Sequence, residues 1–165
     1  PSLAGDFTVT AEMLYGLSDR MRQAQDVFEQ TGSLHAAALF EREGELRVLR
    51  EDIGRHNAVD KIQGEALVRG LQTEGQVLLS TGRISSEMLR KGARMLTPFI
   101  ISRTSPTSLA VEMAKRIGIT LIGYVRNQAF NVYSHPHRID YVRSKRKRSD
   151  AEVVEVGGAT TPGSS

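Results

Sequence analysis

The 165-residue chain has no cysteine and no tryptophan, and aromatic residues make up only 5% of it. Without cysteine the chain can form no disulfide and offer no thiolate nucleophile or thiolate metal ligand, and nothing ties it to an oxidising compartment. No apolar run is long enough to span a membrane, and the start at Pro1 shows no signal-peptide pattern, so the expected location is the cytoplasm. The glycine fingerprints of mononucleotide and dinucleotide loops, G-x-x-x-x-G-K-[ST] and G-x-G-x-x-G, are also missing. Charge of one sign is scarce except in one place. The formal net charge is +3, and five basic residues fall within the six positions Arg143 to Arg148, RSKRKR. Outside that run the chain is slightly acidic, so the pI near 9.5 describes a tail and not a folded surface.

What is present suits one α/β domain over residues 1–141, followed by a basic and then Gly/Ser/Thr-rich tail over 142–165. That tail buries too little apolar area to offset its ordering entropy and is expected to be disordered or loosely attached. Residues 1–7 form a lead-in. From Thr8, Met13, Leu14, Leu17, Met21, Ala24, Val27 and Phe28 recur at helical spacing, with Gly32 in the C-cap position. Ala36–Phe40 and Leu46–Leu49 flank a glycine-containing turn and read as a hairpin. Helices follow from Asn57 to about Arg69, from Ser85 to Leu96, and from Pro106 to before Gly118. Strands alternate with them at Val77–Ser80, Phe99–Ser102, Ile119–Val125 and Phe130–Tyr133. This alternation predicts a three-layer α/β/α domain with a mixed, mainly parallel sheet.

Ligands of open α/β sheets bind beyond the carboxyl ends of the strands. Those ends are Arg50–Asn57, Thr81–Ser86, Arg103–Ser108 and Tyr124–Asn131. The densest is REDIGRHNAVDK, Arg50 to Lys61, where Asn57 is an N-cap candidate and Asp60 completes a capping box. Ser85 and Ser105 are the expected caps of the next two helices, with Pro106 at the first helical position. Arg50, Arg55, Arg83, Arg103 and Arg126 add positive charge, so this rim suits an anionic, phosphorylated ligand. His35 and His56 are read as hydrogen-bonding groups, with structural bonds the plainer alternative. His135 and His137 lack cysteine or carboxylate partners at ligand spacing, and no metal site is expected. Ser85, His56 and Asp60 supply triad residue types, but no nucleophile elbow frames a serine.

The segments TGSLHAAALF, REDIGRHNAVDK, STGRISSEML, SPTSLAVEMA and RNQAFNVYS resemble, in register from about Gln25 to Ile139, the C-terminal region of the formate dehydrogenase accessory sulfurtransferases, the FdhD/NarQ family. The resemblance implies a cytidine-deaminase-like fold, a homodimer, and cytoplasmic partnership with a cysteine desulfurase and formate dehydrogenase. It further implies transfer of persulfide sulfur to the molybdenum bis(molybdopterin guanine dinucleotide) cofactor, with GDP as a mimic of that ligand. The family's C-x-x-C loop would lie just before Pro1, so this cysteine-free chain is expected to be the cofactor-binding core, cropped or cleaved after that loop. It should bind without transferring sulfur, and no catalytic residue is assigned. Ser33 stands where the family usually has glycine. Tyr124, Val125, Arg126, Asn127, Gln128 and Ala129 correspond to a stretch that lies against the cofactor. Arg126 suits a pyrophosphate or guanine contact, and Tyr124 or Phe130 could stack on a ring. With the rim groups Arg83, Ser85, His56, Asn57, Arg55, His35 and Ser105, they make the expected binding set. True cytidine deaminases need His/Cys/Cys zinc ligands, which the helices near His56 and Pro106 cannot supply.

A second reading, from a different class, is a non-catalytic nucleotide- or partner-binding domain whose basic tail engages nucleic acid or an acidic partner. RSKRKR has no interleaved aromatics, so nucleic acid is not the expected partner.

Overall fold

The computed structural model describes residues 7–25, 34–126, 128–141 and 152–155. A seven-stranded mixed sheet runs in the order β3-β2-β4-β5-β6-β7-β9, formed by β2 (His35–Phe40), β3 (Leu46–Asp52), β4 (Val77–Ser80), β5 (Phe99–Ser102), β6 (Thr120–Arg126), β7 (Ala129–Val132) and β9 (Glu152–Glu155). A separate short pair joins β1 (Val9–Thr10) to β8 (Ile139–Asp140). The helices are α1 (Ala11–Gln25), α2 (Arg55–Arg69), α3 (Ser86–Arg94) and α4 (Ser108–Ile117).

Alternation along the central strands sorts the core into two halves. Ala36, Ala38, Phe40, Val77, Leu79, Phe99 and Ile101 face one side, where α1 contributes Leu14, Leu17 and Met21. Ala37, Leu39, Leu78, Ile100 and Leu121 face the other, against Val59 and Ile62 of α2, Met88 and Leu89 of α3, and Ala110 and Ala114 of α4. This is a three-layer α/β/α sandwich, with one α-helix of the described residues on the first face and three on the second.

Strand direction decides where the site can be. β2 is antiparallel to both β3 and β4, while β4, β5 and β6 run parallel to one another. The carboxyl ends of β3, β4, β5 and β6 therefore share one edge with the amino ends of β2 and β7. His35, Asp52, Ser80, Ser102, Arg126 and Ala129 all lie along it.

Several local expectations need correction. β3 continues through Arg50–Asp52, because its ladder to Ala37, Ala36 and His35 extends past the apolar residues. α2 starts at Arg55 behind Gly54, not at Asn57, and no side chain caps it. α4 is capped by Thr107, whose hydroxyl accepts the Ala110 N–H at 3.1 Å. Ser105 instead uses its carbonyl, accepting the Ile84 N–H in a bridge that joins the turns after β4 and β5. Gly70 and Gly118 close α2 and α4 in the left-handed region, as their sequence positions predicted. Gly32 and Ser33 lie outside the described residues, as does the tail apart from β9. That strand lies within the segment read as disordered.

Thr107→Ala should cost about 1 kcal/mol of stability, the usual size of a lost N-cap, whereas Ser105→Ala should leave the urea midpoint nearly unchanged. Equal losses in the two variants would contradict the assignment of the cap.

Candidate functional site

The β3–α2 junction is built around one carboxylate. Asp52 Oδ1 accepts the Gly54 N–H at 3.0 Å and the Asn57 Nδ2–H at 3.3 Å. Its other oxygen pairs with Lys61 Nζ at 2.7 Å, and Lys61 also donates to the Glu51 carbonyl at 3.0 Å. The Lys61 bond first, then those from Gly54 and Asn57, hold the Asp52 carboxyl down at about 2. Asn57 is thus occupied in fixing the turn. Asp60 pairs with Lys91 across to α3 at 2.7 Å, so Ser85, His56 and Asp60 form no relay.

With Asp52 committed to Lys61, the first turn of α2 carries no acidic residue of its own. Arg55 and His56 stand there against the positive end of the helix dipole, a placement that favours an anion. Arg55 Nε and His56 Nδ1 are buried atoms without a hydrogen-bond partner among the described residues. The stem of Arg55 lies directly on Gly82. A Cβ at that position would fall 2.7 Å from Arg55 Cδ and 2.8 Å from its Cβ, so the turn after β4 is shaped to receive this side chain.

The neighbouring turns are tied together by hydroxyls. Ser80 Oγ accepts the Gly82 N–H at 3.1 Å, and Ser102 Oγ donates to the Gly82 carbonyl at 2.7 Å. Thr104 N donates to Ser102 Oγ at 2.9 Å, and the Thr104 carbonyl takes the Tyr124 N–H at 3.0 Å. His35 Nδ1 lies 3.5 Å from Thr81 Oγ1, which also accepts the Ala36 N–H at 2.9 Å. Arg83 is exposed on the turn before α3, and Ser85 spends its hydroxyl accepting the Met88 N–H at 3.3 Å.

At the other end of the rim, the β6–β7 ladder breaks between Gly123 and Arg126. Tyr124 sits there with φ of +52° and is 39% exposed. A bulged, non-glycine residue in the left-handed region is costly backbone and re-aims its side chain. Arg126 is exposed, its Nε donating to the Tyr124 carbonyl at 3.3 Å. Gln128 is exposed and Ala129 half-buried, while Asn127 is outside the described residues.

Three expected contacts do not fit this geometry. The Val125 side chain belongs to the core, and its carbonyl accepts the Ser18 hydroxyl at 3.0 Å. Phe130 is wholly buried against Tyr15, with ring centroids 5.4 Å apart, and cannot stack on a ligand. Arg50 pairs with Glu65, which also holds Arg69. Glu65 lies ten residues along α2 from Arg55, a rise of roughly 15 Å, so Arg50 is drawn away from the rim. Sequence reasoning overlooked the Asp52–Lys61 lock and the Gly82 seat. The glycine two residues after the fully buried strand Val77–Ser80 was the available signal. Among the described residues no three or more metal-capable side chains cluster, and no helix is long and apolar enough to cross a membrane. A cavity of about 430 Å³, lined by Thr8, Val9, Thr10, Met13, Arg42 and Glu43, lies at the opposite edge of the sheet.

A layered α/β/α domain with a polar, cation-bearing edge beyond its strand ends belongs to the open-sheet α/β class, in which that edge is where ligands bind. The profile of the FdhD/NarQ family matches residues 1–140, and the chain belongs to that family. It is 46% identical over 134 residues to the sulfur carrier protein FdhD of Thermoplasma acidophilum, covering 81% of this chain and 48% of that protein. The corresponding protein of Streptomyces avermitilis is 50% identical over 129 residues, 78% of this chain and 46% of its own. A crystal structure from Desulfotalea psychrophila, described as a formate dehydrogenase accessory protein, superposes with a TM-score of 0.77 at 38% identity. That match covers 85% of this chain and 60% of the other. The chain spans about half the length of the curated relatives it matches.

Because the folded Asp52 carboxyl lies below its unfolded value of 3.8, its contribution to stability is complete above that value. It is lost as the pH falls toward about 2. Lys61→Met should raise the Asp52 titration midpoint toward 3.8, read from the carboxyl carbon shift by NMR. A midpoint unmoved by the substitution would show that Lys61 is not the main cause.

Proposed function

We propose that this chain is the ligand-binding part of a sulfur carrier that serves formate dehydrogenase maturation, and that its carboxyl-edge rim holds the bis(molybdopterin guanine dinucleotide) cofactor as substrate. One observation carries the reading. At the first turn of α2, Arg55 Nε and His56 Nδ1 are buried without partners among the described residues, beside the Gly82 seat. Leaving such groups unpaired costs free energy that a phosphate oxygen would recover. The names of the relatives, sulfur carrier protein and formate dehydrogenase accessory protein, support the sulfur-carrier role, while the choice of ligand follows from the family resemblance of REDIGRHNAVDK and RNQAFNVYS.

In this reading the α2 end takes phosphate, with Arg83 contributing a charge-assisted bond. Tyr124 and Arg126 meet the ring and pyrophosphate at the far end. The chain's own groups bind and orient the cofactor. The sulfur itself must arrive on a thiol from outside this sequence, since the chain has no cysteine. A cysteine desulfurase would be the upstream donor and the cytoplasm the setting. His35, held near Thr81, lines the space between the two ends.

Charge-assisted hydrogen bonds are worth roughly 1.5–3 kcal/mol each. Arg83→Ala and His56→Ala should each therefore weaken GDP binding by about tenfold or more in isothermal titration, with the melting temperature nearly unchanged. Gly82→Ala should weaken it as well, by pushing Arg55 off its seat. Wild-type affinity in all three variants would remove the α2 end from the site. Arg126→Ala should cut affinity for the bis-guanine cofactor more than for GDP, and an equal effect on both would contradict the assignment of the far end.

A further inference from the structure

β7 has two unlike neighbours. Toward β6 its pairing is interrupted: Ile122 faces Val132 and Gly123 faces Asn131, but the register shifts before Arg126 meets Ala129. Toward β9 the ladder is continuous and parallel, with Ala129, Phe130, Asn131 and Val132 opposite Glu152, Val153, Val154 and Glu155. Toward β6 this four-residue strand has only a broken ladder, although Phe130 and Val132 anchor it in the core. The uninterrupted bonding of β7 is therefore supplied from its outer side. β9 lies beyond residue 140, where the match to the family profile ends.

We propose that the C-terminal strand Glu152–Glu155 is a positioning element for the far end of the rim. It clamps β7 from outside, and so fixes the Tyr124 bulge and the Arg126 side chain at the carboxyl edge. The functional half of this inference rests on the ligand reading given above. The geometry favours it in two further ways. Strain at Tyr124, with φ of +52°, persists only where the surroundings over-determine the backbone. α1 holds the bulge from one layer through Ser18 and Val125, and β9 holds the strand that follows it. The register also sets Glu152 opposite Ala129, so β9 begins at the rim itself.

The test uses the full chain in three forms: wild type, Val153→Pro/Val154→Pro, and a variant with the basic residues of Arg143–Arg148 replaced by glutamine. Two prolines cannot donate to the ladder, whereas the glutamine variant keeps the strand and removes the charge. Hydrogen exchange, measured without ligand, should be at least about tenfold faster over Ala129–Val132 in the proline variant, with α2 and α3 unchanged. Affinity for the extracted bis(molybdopterin guanine dinucleotide) cofactor should fall several-fold, while GDP affinity, set by the α2 end, should hold. The glutamine variant should match wild type in both. Unchanged exchange in the proline variant would overturn the clamp. Faster exchange with undiminished cofactor binding, or parallel loss of cofactor and GDP binding, would overturn its positioning role. A glutamine variant that loses affinity as the proline variant does would assign the effect to charge and overturn the proposal. Failure of wild type to bind either ligand would sink the ligand reading, and exchange would still decide whether β9 holds β7.

Discussion

Val77–Ser80 and Phe99–Ser102 are buried along their whole length, with apolar side chains packed on both faces. A strand in that position has no solvent face on which to carry chemistry, so polar function is displaced to its ends. Here the last residue of each strand is a buried serine, and both hydroxyls are spent on the turns beyond the strand ends. Ser80 takes the Gly82 N–H, while Ser102 bonds the Gly82 carbonyl and takes the Thr104 N–H. These bonds satisfy turn backbone that would otherwise be buried without partners. They also fix Gly82 under Arg55, and they set Thr104 where its carbonyl receives the Tyr124 N–H. The two ends of the rim are thereby referred to one rigid centre.

The alternation of buried strands and helices made the architecture legible in the sequence, because periodicity and glycine C-caps are local signals. Val77–Ser80 and Phe99–Ser102 agree with their expected bounds, and Gly70 and Gly118 terminate helices as expected. The helix starts were less legible. Asn57 and Ser105 are good capping residues by type. Asn57 instead binds Asp52, and the Ser105 carbonyl bridges to Ile84. A capping side chain can be assigned only when its competing partners are known, and those partners are distant in sequence. The bulge at Tyr124 and the outward pull of Glu65 on Arg50 were hidden for the same reason. Phe130 misled through proximity. It is six residues from Tyr124 but on the far side of a register shift, and the strand turns its ring into the core.

Three helices aim their amino ends at one edge, yet they are not equivalent. Ser85 caps α3 and Thr107 caps α4, so each has already given a first-turn donor an internal acceptor. α3 also has Glu87 in its first turn to offset the dipole. α2 begins at a glycine, lacks a first-turn acid, and places the Arg55 guanidinium where a helix least favours positive charge, with His56 beside it. Asp52, the nearby carboxylate, is drawn off by Lys61. The electrostatic imbalance of the rim is therefore concentrated at one helix end and not spread over three. A bound anion there relieves several unfavourable placements at once. At the capped ends it would have to compete with a side chain already in position. The order of preference among the three follows from composition at four residues, Gly54, Arg55, Ser85 and Thr107. It would invert if the glycine carried a cap and the serine or threonine did not.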